Sequence, residues 1–323
     1  MIKIGIILPC YNEEQVLYES ARIVTKLLNR LISLKKITPT SRILYIDDGS
    51  NDGTWNLIKA LSDKHSKVGG IKLSRNFGHQ NAILAGLLTV KGDAIVSLDA
   101  DLQDDVNTIE AMIDDHLKGS EIVYAVREDR SIDSRFKRIS AHFFYKFMNF
   151  IGSDVVYNHA DFRLLSRRAI NALKEFREIN IFLRGVVPLI GLKSSIVYYK
   201  RNQRAAGKTK YPLRKMINFA IDGITSFSVA PLRVITVIGF VIFSMSLIMI
   251  VYIFWVWLFS NSAVPGWAST TLPIYFLGGI QILFIGILGE YLGKTYQEIK
   301  GRPRYLIEES VNTSIKSNEI NKK

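Results

Sequence analysis

The stretch Val96-Ser-Leu-Asp-Ala-Asp-Leu-Gln-Asp104 places Asp99, Asp101, Gln103 and Asp104 directly after the apolar run 94–98. If the chain stays extended there, a period of two puts Asp99, Asp101 and Gln103 on one side. Carboxylates gathered at a strand end are costly unless something positive sits among them. Hard cations such as Mg²⁺ or Mn²⁺ take oxygen ligands, commonly one or two carboxylates plus substrate phosphates. The chemistry this suggests is a divalent metal bound to the diphosphate of a nucleotide sugar. Asp-x-Asp by itself also describes a solvated acidic turn after a buried strand, so the weight falls on what surrounds it.

Residues 2–119 alternate short apolar runs with amphipathic stretches, the pattern of βαβ units on a mostly parallel sheet. Strands are expected at 4–8, 42–46, 68–73 and 94–98, and helices at 14–34, from 55 to 61 and at 80–88. Ligands of open α/β sheets sit outside the carboxyl ends of the strands. Each predicted strand runs into a polar cluster: Pro9-Cys-Tyr-Asn-Glu13, Asp47-Asp-Gly-Ser-Asn-Asp-Gly53, Ser74-Arg-Asn-Phe-Gly78 and Asp99-Ala-Asp101. Four such clusters on one edge imply one shared site. Tyr11 can stack on a base, Asn12 and Glu13 can bond a ribose, Asp48 can accept from a base N–H, and Asn76 lies at the pocket edge. The segment 47–53 also reads as a tight turn with Asx hydrogen bonds and a helix N-cap at Asp52 or Thr54, and both readings can hold together. No Gly-x-Gly-x-x-Gly and no Walker loop follows the first strand. Cys10, the one cysteine, reads as a packing residue and excludes an intramolecular disulfide. His79 and His159 read as structural, because an oxygen-rich site prefers a hard ion.

The 323 residues carry a formal charge of +13 and are 48% hydrophobic, enough for one large domain and an appendage. The opening apolar run, cut short by Pro9, reads as a first strand rather than a signal peptide. Residues 234–289 contain no Asp, Glu, Lys or Arg. That is room for two membrane helices of roughly 20 residues each, expected at about 234–259 and 272–291, around the turn-rich break 260–266. Basic residues flank both outer ends, and the connecting loop is uncharged. The positive-inside rule therefore predicts a multi-pass protein of the inner (plasma) membrane, with catalytic domain and both termini cytoplasmic. The basic run 127–138, the aromatic stretch 143–150 and the amphipathic stretch 213–229 suit a membrane surface. Nucleic acid as the partner is disfavoured by the acidic clusters and the two apolar spans. The predicted organisation is a domain over 1–212, an interfacial amphipathic helix over 213–232, a two-helix membrane segment over 233–292 and a basic tail over 293–323. The tail reads as polar and disordered from Glu308 on.

The ordered set Leu8-Pro-Cys-Tyr-Asn-Glu13, Asp47-Asp-Gly-Ser50, Ser74-Arg-Asn-Phe-Gly-His79, Asp99-Ala-Asp101, Asp161-Phe-Arg-Leu164 and Arg204-x-x-Gly-x-Thr-Lys-Tyr211 resembles the inverting family 2 glycosyltransferases. With the apolar pair and Glu290-Tyr-Leu-Gly-Lys-Thr-Tyr296, the chain is similar to the polyprenyl-phosphate type, especially the bactoprenol glucosyltransferases, over about 2–307. The resemblance implies a GT-A-type, mostly parallel sheet flanked by helices, then interfacial and two transmembrane helices. It implies that Pro9, Tyr11, Glu13 and Asp48 hold the nucleoside, with Asn12 and Asn76 beside them, and that Asp99 and Ala100 meet the nucleotide. Asp101 and Gln103 would bind Mg²⁺ or Mn²⁺. Arg127, Arg204 and Lys210 would grip the diphosphate or lipid phosphate. Asp161 would be an acid near sugar and acceptor. Similar proteins form tetramers, and the interfacial helices would allow a homotetramer here.

The implied reaction moves a hexose, with glucose favoured, from a UDP-sugar to polyprenyl phosphate for cell-envelope glycan modification, with inversion. A phosphate acceptor has a second pKa near ~6, so it is largely ionised at neutral pH and needs no strong base. Asp161 is therefore expected to position or to act electrostatically. The competing readings are the same chemistry with UDP-N-acetylglucosamine or GDP-mannose, and a non-catalytic membrane scaffold on the same nucleotide fold. A processive synthase is disfavoured by the absence of a Gln-x-x-Arg-Trp motif.

Overall fold

The structure, a computed structural model, describes residues 1–128, 159–179, 181–199 and 267–313, with scattered positions between 232 and 259. The chain divides into two compact units. The first comprises Met1–Phe150, Asp154–Leu213 and Arg302–Lys323, and the second Ile151–Ser153 and Arg214–Gly301.

The first unit is built on β1 (Ile4–Cys10), whose seven residues are all buried. A strand covered on both faces is what a continuous apolar run encodes in a parallel sheet. Helix α1 (Glu14–Ser33) buries Val16, Leu17, Ala21, Val24, Leu28 and Leu31, a stripe at helical spacing that seals one face. Then come β2 (Arg42–Asp47), α2 (Thr54–Lys64), β3 (Val68–Leu73), α3 (His79–Thr89) and β4 (Ala94–Ser97). After them lie α4 (Thr108–Leu117), β5 (Ile122–Arg127), β6 (His159–Ser166), α5 (Arg167–Lys174), α6 (Leu183–Leu189) and β7 (Ser194–Tyr199). One eight-stranded sheet results, in the order β7-β5-β6-β4-β1-β2-β3-β8. It is mostly parallel, as expected, with β6 antiparallel to β4 and β5, and β8 antiparallel to β3. From β1 the chain winds outward through β2 and β3, then returns to place β4 on the other side of β1. The strand order thus reverses between β1 and β4, the place at which ligands of open α/β sheets sit outside the carboxyl ends of the strands.

Two expectations are corrected. The strand carrying the acidic stretch ends at Ser97, and Leu102 adopts φ +57. Asp99, Asp101 and Gln103 therefore lie on a turn, and strand alternation does not govern them. The tail is not unstructured from Glu308: β8 (Ile307–Val311) pairs antiparallel with β3. Lys72 meets Glu308 at 3.0 Å, the Trp55 indole donates to Glu309 at 2.9 Å, and the Asn312 amide donates to the Ser66 and Val68 carbonyls. An edge strand presents unpaired backbone groups, and β3 offers them to any segment that side-chain contacts can hold in register.

In the second unit, α7 (Trp267–Ile299) contains Pro273 and is uncharged as far as Gly289. It covers the second predicted span. Judged on the described residues alone, no helix is long and apolar enough to cross a membrane. The first predicted span lies largely outside the described residues, as do the surface stretches 130–150 and 213–229.

Candidate active site at the carboxyl edge of the sheet

The polar ends of the strands are knitted to one another. Asn12, at φ +54, gives its backbone N–H to the Ser50 hydroxyl at 2.9 Å and takes the Asn51 N–H on its side-chain oxygen at 2.9 Å. The Glu13 N–H goes to the Thr54 hydroxyl at 3.0 Å. Asn tolerates the left-handed region, so Asn12 serves here to join the first loop to the second. Ser50 donates its N–H to Asp47, and Asp52 accepts from the Thr54 N–H, the Asx bonding the sequence suggested. The helix cap is Gly53, whose N–H is taken by Glu14.

Asp48 joins the second loop to the third. It is 3% exposed, and its two oxygens accept the Phe77 and Gly78 N–H groups at 2.8 and 3.0 Å. Burial pushes its carboxyl up to about 6, against the pull of those two bonds. Asp48 therefore fixes the third loop through these two backbone groups. Gly49 must be glycine: its φ is +66, and a Cβ there would lie 2.4 Å from the Arg75 carbonyl carbon. Arg75 lies over the Phe77 ring at 4.1 Å. Tyr11 is 38% exposed, while Pro9 and Ala100 are buried and Asn76 is exposed.

Across the switch point the charges converge on Asp161, in β6. Register pairs Ser97 with Arg163, so Asp161 stands beside the segment that carries Asp99. Asp161 is 4% exposed. It accepts from Arg163, from Arg184 at 2.9 and 3.3 Å, and from Gln80 at 3.2 Å. Desolvation pushes its carboxyl up, but Arg184, His79 and Arg163 outweigh it and hold it well below the usual carboxylate range. Such a group is a fixed anion rather than a base. Asp99 is the opposite case: its side chain is 36% exposed, and desolvation of the remainder lifts its carboxyl toward about 6, with His79 opposing. Between the two acids sits the His79 ring, Nε2 3.4 Å from Asp99 and 3.6 Å from Asp161.

A second cluster closes the far side. Tyr199, at the end of β7, donates its hydroxyl proton to the buried Asp104, and Arg127 Nε donates to the Tyr199 oxygen at 3.0 Å. Arg127 also lies 3.4 Å from Asp104. Asp101 accepts the Gln103 backbone N–H at 3.2 Å, and Gln103 is buried.

Among the described residues no three His, Cys, Asp or Glu side chains converge to hold a metal by themselves. The donors at the Asp101 turn are oxygens, few in number, which fits a hard cation whose shell is completed by substrate phosphates. Arg204 and Lys210 lie outside the described residues. The sequence reads His79 as structural and gives no role to Gln80, Arg163, Arg184 and Tyr199. His79 and Arg163 stood inside quoted motifs, yet nothing in their spacing marks the pairing, which is made by an antiparallel strand returning from far along the chain.

Residues 5–174 match the family description "Glycosyl transferase family 2", and residues 230–295 match "GtrB C-terminal hairpin". The chain is 48% identical over 305 residues to an uncharacterized glycosyltransferase, YkoT, of Bacillus subtilis, spanning 94% of this chain and 90% of that one. It is 41% identical to a prophage bactoprenol glucosyl transferase homolog of Escherichia coli, over 95% and 98% of the two chains. It is 38% identical to the SfII prophage-derived bactoprenol glucosyl transferase of Shigella flexneri, over 96% and 98%.

Proposed function

This chain belongs to glycosyl transferase family 2, and we propose that it transfers glucose from UDP-glucose to a polyprenyl phosphate such as undecaprenyl phosphate. The observation that carries the reading is the continuous polar edge, in which hydrogen bonds and ion pairs link the loops after β1, β2, β3 and β4 to Asp161 on β6. Near-full-length likeness to a bactoprenol glucosyl transferase and to a homolog of one supports the sugar and the acceptor.

In this reading Tyr11 stacks on the base and Glu13 meets the ribose. Asp48 sets the third loop through its two backbone bonds. Asp99 and Ala100 line the nucleotide path. Asp101 and Gln103 would hold Mg²⁺ or Mn²⁺, which when bound would offset charge on the departing diphosphate. Arg127, Arg204 and Lys210 add cations for phosphate oxygens. Asp161, a fixed anion among Arg163, Arg184 and His79, orients and balances rather than taking a proton. The ionised acceptor phosphate attacks the anomeric carbon as the bond to the diphosphate breaks, so one displacement inverts the centre. Most of the work is orientation.

We also read 234–259 and 272–291 as two membrane helices. The uncharged stretch 234–289 supports this, as does the hairpin match over 230–295. Ile274, Ile282, Ile285, Leu288 and Leu292 of α7 are all exposed, an apolar surface of a kind that soluble monomers seldom leave uncovered. A lipid acceptor gives such helices a purpose.

The test is transfer of label from UDP-glucose into undecaprenyl phosphate by the purified full chain with Mg²⁺ or Mn²⁺, with UDP-N-acetylglucosamine and GDP-mannose alongside. Label in the lipid from UDP-glucose, lost on adding EDTA, is the expected result. Label from another donor would correct the sugar. No label from any donor would overturn the reading.

A further inference from the structure

Asp99 and Asp161 present a problem that the transfer reading leaves open. The β4–β6 register pairs Ser97 with Arg163, which brings Asp161 beside the turn that carries Asp99. Two carboxylates brought to one site repel. Arg163 and Arg184 pair with Asp161. Among the described residues, His79 is the one cation within ion-pair distance of both acids.

His79 stands at an odd place for a cation. It is the first residue of α3, where the helix dipole disfavours positive charge. It follows Gly78, whose φ of +91 turns the chain and whose N–H is gripped by Asp48. The groups facing it are Asp48 from the loop after β2, Asp99 from the loop after β4, Asp161 from β6 and Arg184 from α6. Three of the four are acids, enough to reverse the helix preference.

We infer that His79 is a positioning residue whose positive charge, set between Asp99 and Asp161, holds the two acids in place at the carboxyl edge of the sheet. The inference rests on the transfer reading. One ring thereby sets the nucleotide side of the site, through Asp99, against the acid at the sugar and acceptor side, Asp161. The His79 side chain is 38% exposed, so desolvation pulls the imidazole pKa down only in part, and Asp161 and Asp99 outweigh it and push it up to about 9. His79 is then charged at neutral pH and loses its charge only on the alkaline side.

The test compares wild type, His79→Gln and His79→Lys in the transfer assay from pH 6 to about 10.5, the upper end set by the usual lysine range, with melting temperatures measured in parallel. Loss of alignment predicts about a tenfold to hundredfold fall in kcat for His79→Gln, with donor KM little changed. In wild type the rate falls through an alkaline limb near His79's titration. His79→Lys keeps the charge, retains more kcat than His79→Gln, and moves that limb upward. If His79→Gln fails to fold, the direction of the limb in His79→Lys decides the matter. A His79→Gln enzyme with wild-type kcat and an unchanged limb refutes the inference, and so do equal kcat losses and coincident limbs in both variants. A wild-type chain that transfers from no donor overturns the transfer reading, and this inference falls with it.

Discussion

Replacing Asp161 by Asn should damage the fold before it damages chemistry. Arg163 is 1% exposed, and its guanidinium spends one arm on the Leu183 carbonyl at 3.1 Å and another on Asp161. Arg184 and Gln80 also end on Asp161. Asparagine fills the space and removes the charge, leaving a buried guanidinium without its counter-ion. Breaking a buried pair from one side costs roughly 3–5 kcal/mol. For a unit of this size each kcal/mol is worth about 2–4 °C, so the expected fall in melting temperature is roughly 6–20 °C. Circular dichroism on the full chain measures it. The pH dependence supplies a second check. A carboxyl whose folded pKa is depressed stabilises the fold above its unfolded value of about 3.9 and loses that contribution as pH falls through its folded value. The variant should therefore be less acid-sensitive below about pH 4 than wild type. A double variant, Asp161→Asn with Arg163→Met, should recover part of the loss, because an apolar replacement of a buried pair is often tolerated. A single variant melting within about 2 °C of wild type would show that Asp161 carries no buried charge.

Three further outcomes follow from particular contacts. Gly49→Ala forces a Cβ to 2.4 Å from the Arg75 carbonyl carbon at φ +66, so it should cost about 1–2 kcal/mol or more and weaken UDP binding measured by calorimetry; unchanged affinity and stability would contradict the tight packing of the second loop on the third. Truncation after Tyr305 removes β8 and with it the partners of Lys72 and the Trp55 indole. Hydrogen exchange should then speed up across β3 and spare β1, and uniform protection would mean that the edge does not need its eighth strand. Asp101→Ala should abolish metal-dependent transfer while leaving melting unchanged, and surviving turnover would overturn the metal assignment.

Residues 4–98 were legible because their signals are local. Buried strands there are unbroken apolar runs, helices such as α1 repeat their apolar residues at three and four, and each strand ends in residues that only a turn or a ligand explains. The missed features share a different origin. Strand β8 carries Glu308, Glu309 and Ser310 in five residues, a composition that reads as coil. It becomes a strand because β3 supplies an open edge, Lys72 supplies charge and Trp55 supplies a donor, all more than 230 positions earlier. The acidic turn misled in the opposite sense: alternation is a property of extended backbone, which ends at Ser97 and gives way to a turn with Leu102 left-handed. His79 is the sharpest case. By type and neighbours it is an unremarkable residue at the start of an apolar helix. Its two acids reach it only because β4 returns beside β1 and β6 then runs antiparallel to β4, which sets Asp161 level with Asp99 at the head of α3. Motif spacing records which residues a site owns along the chain, whereas topology decides which of them must share a charge.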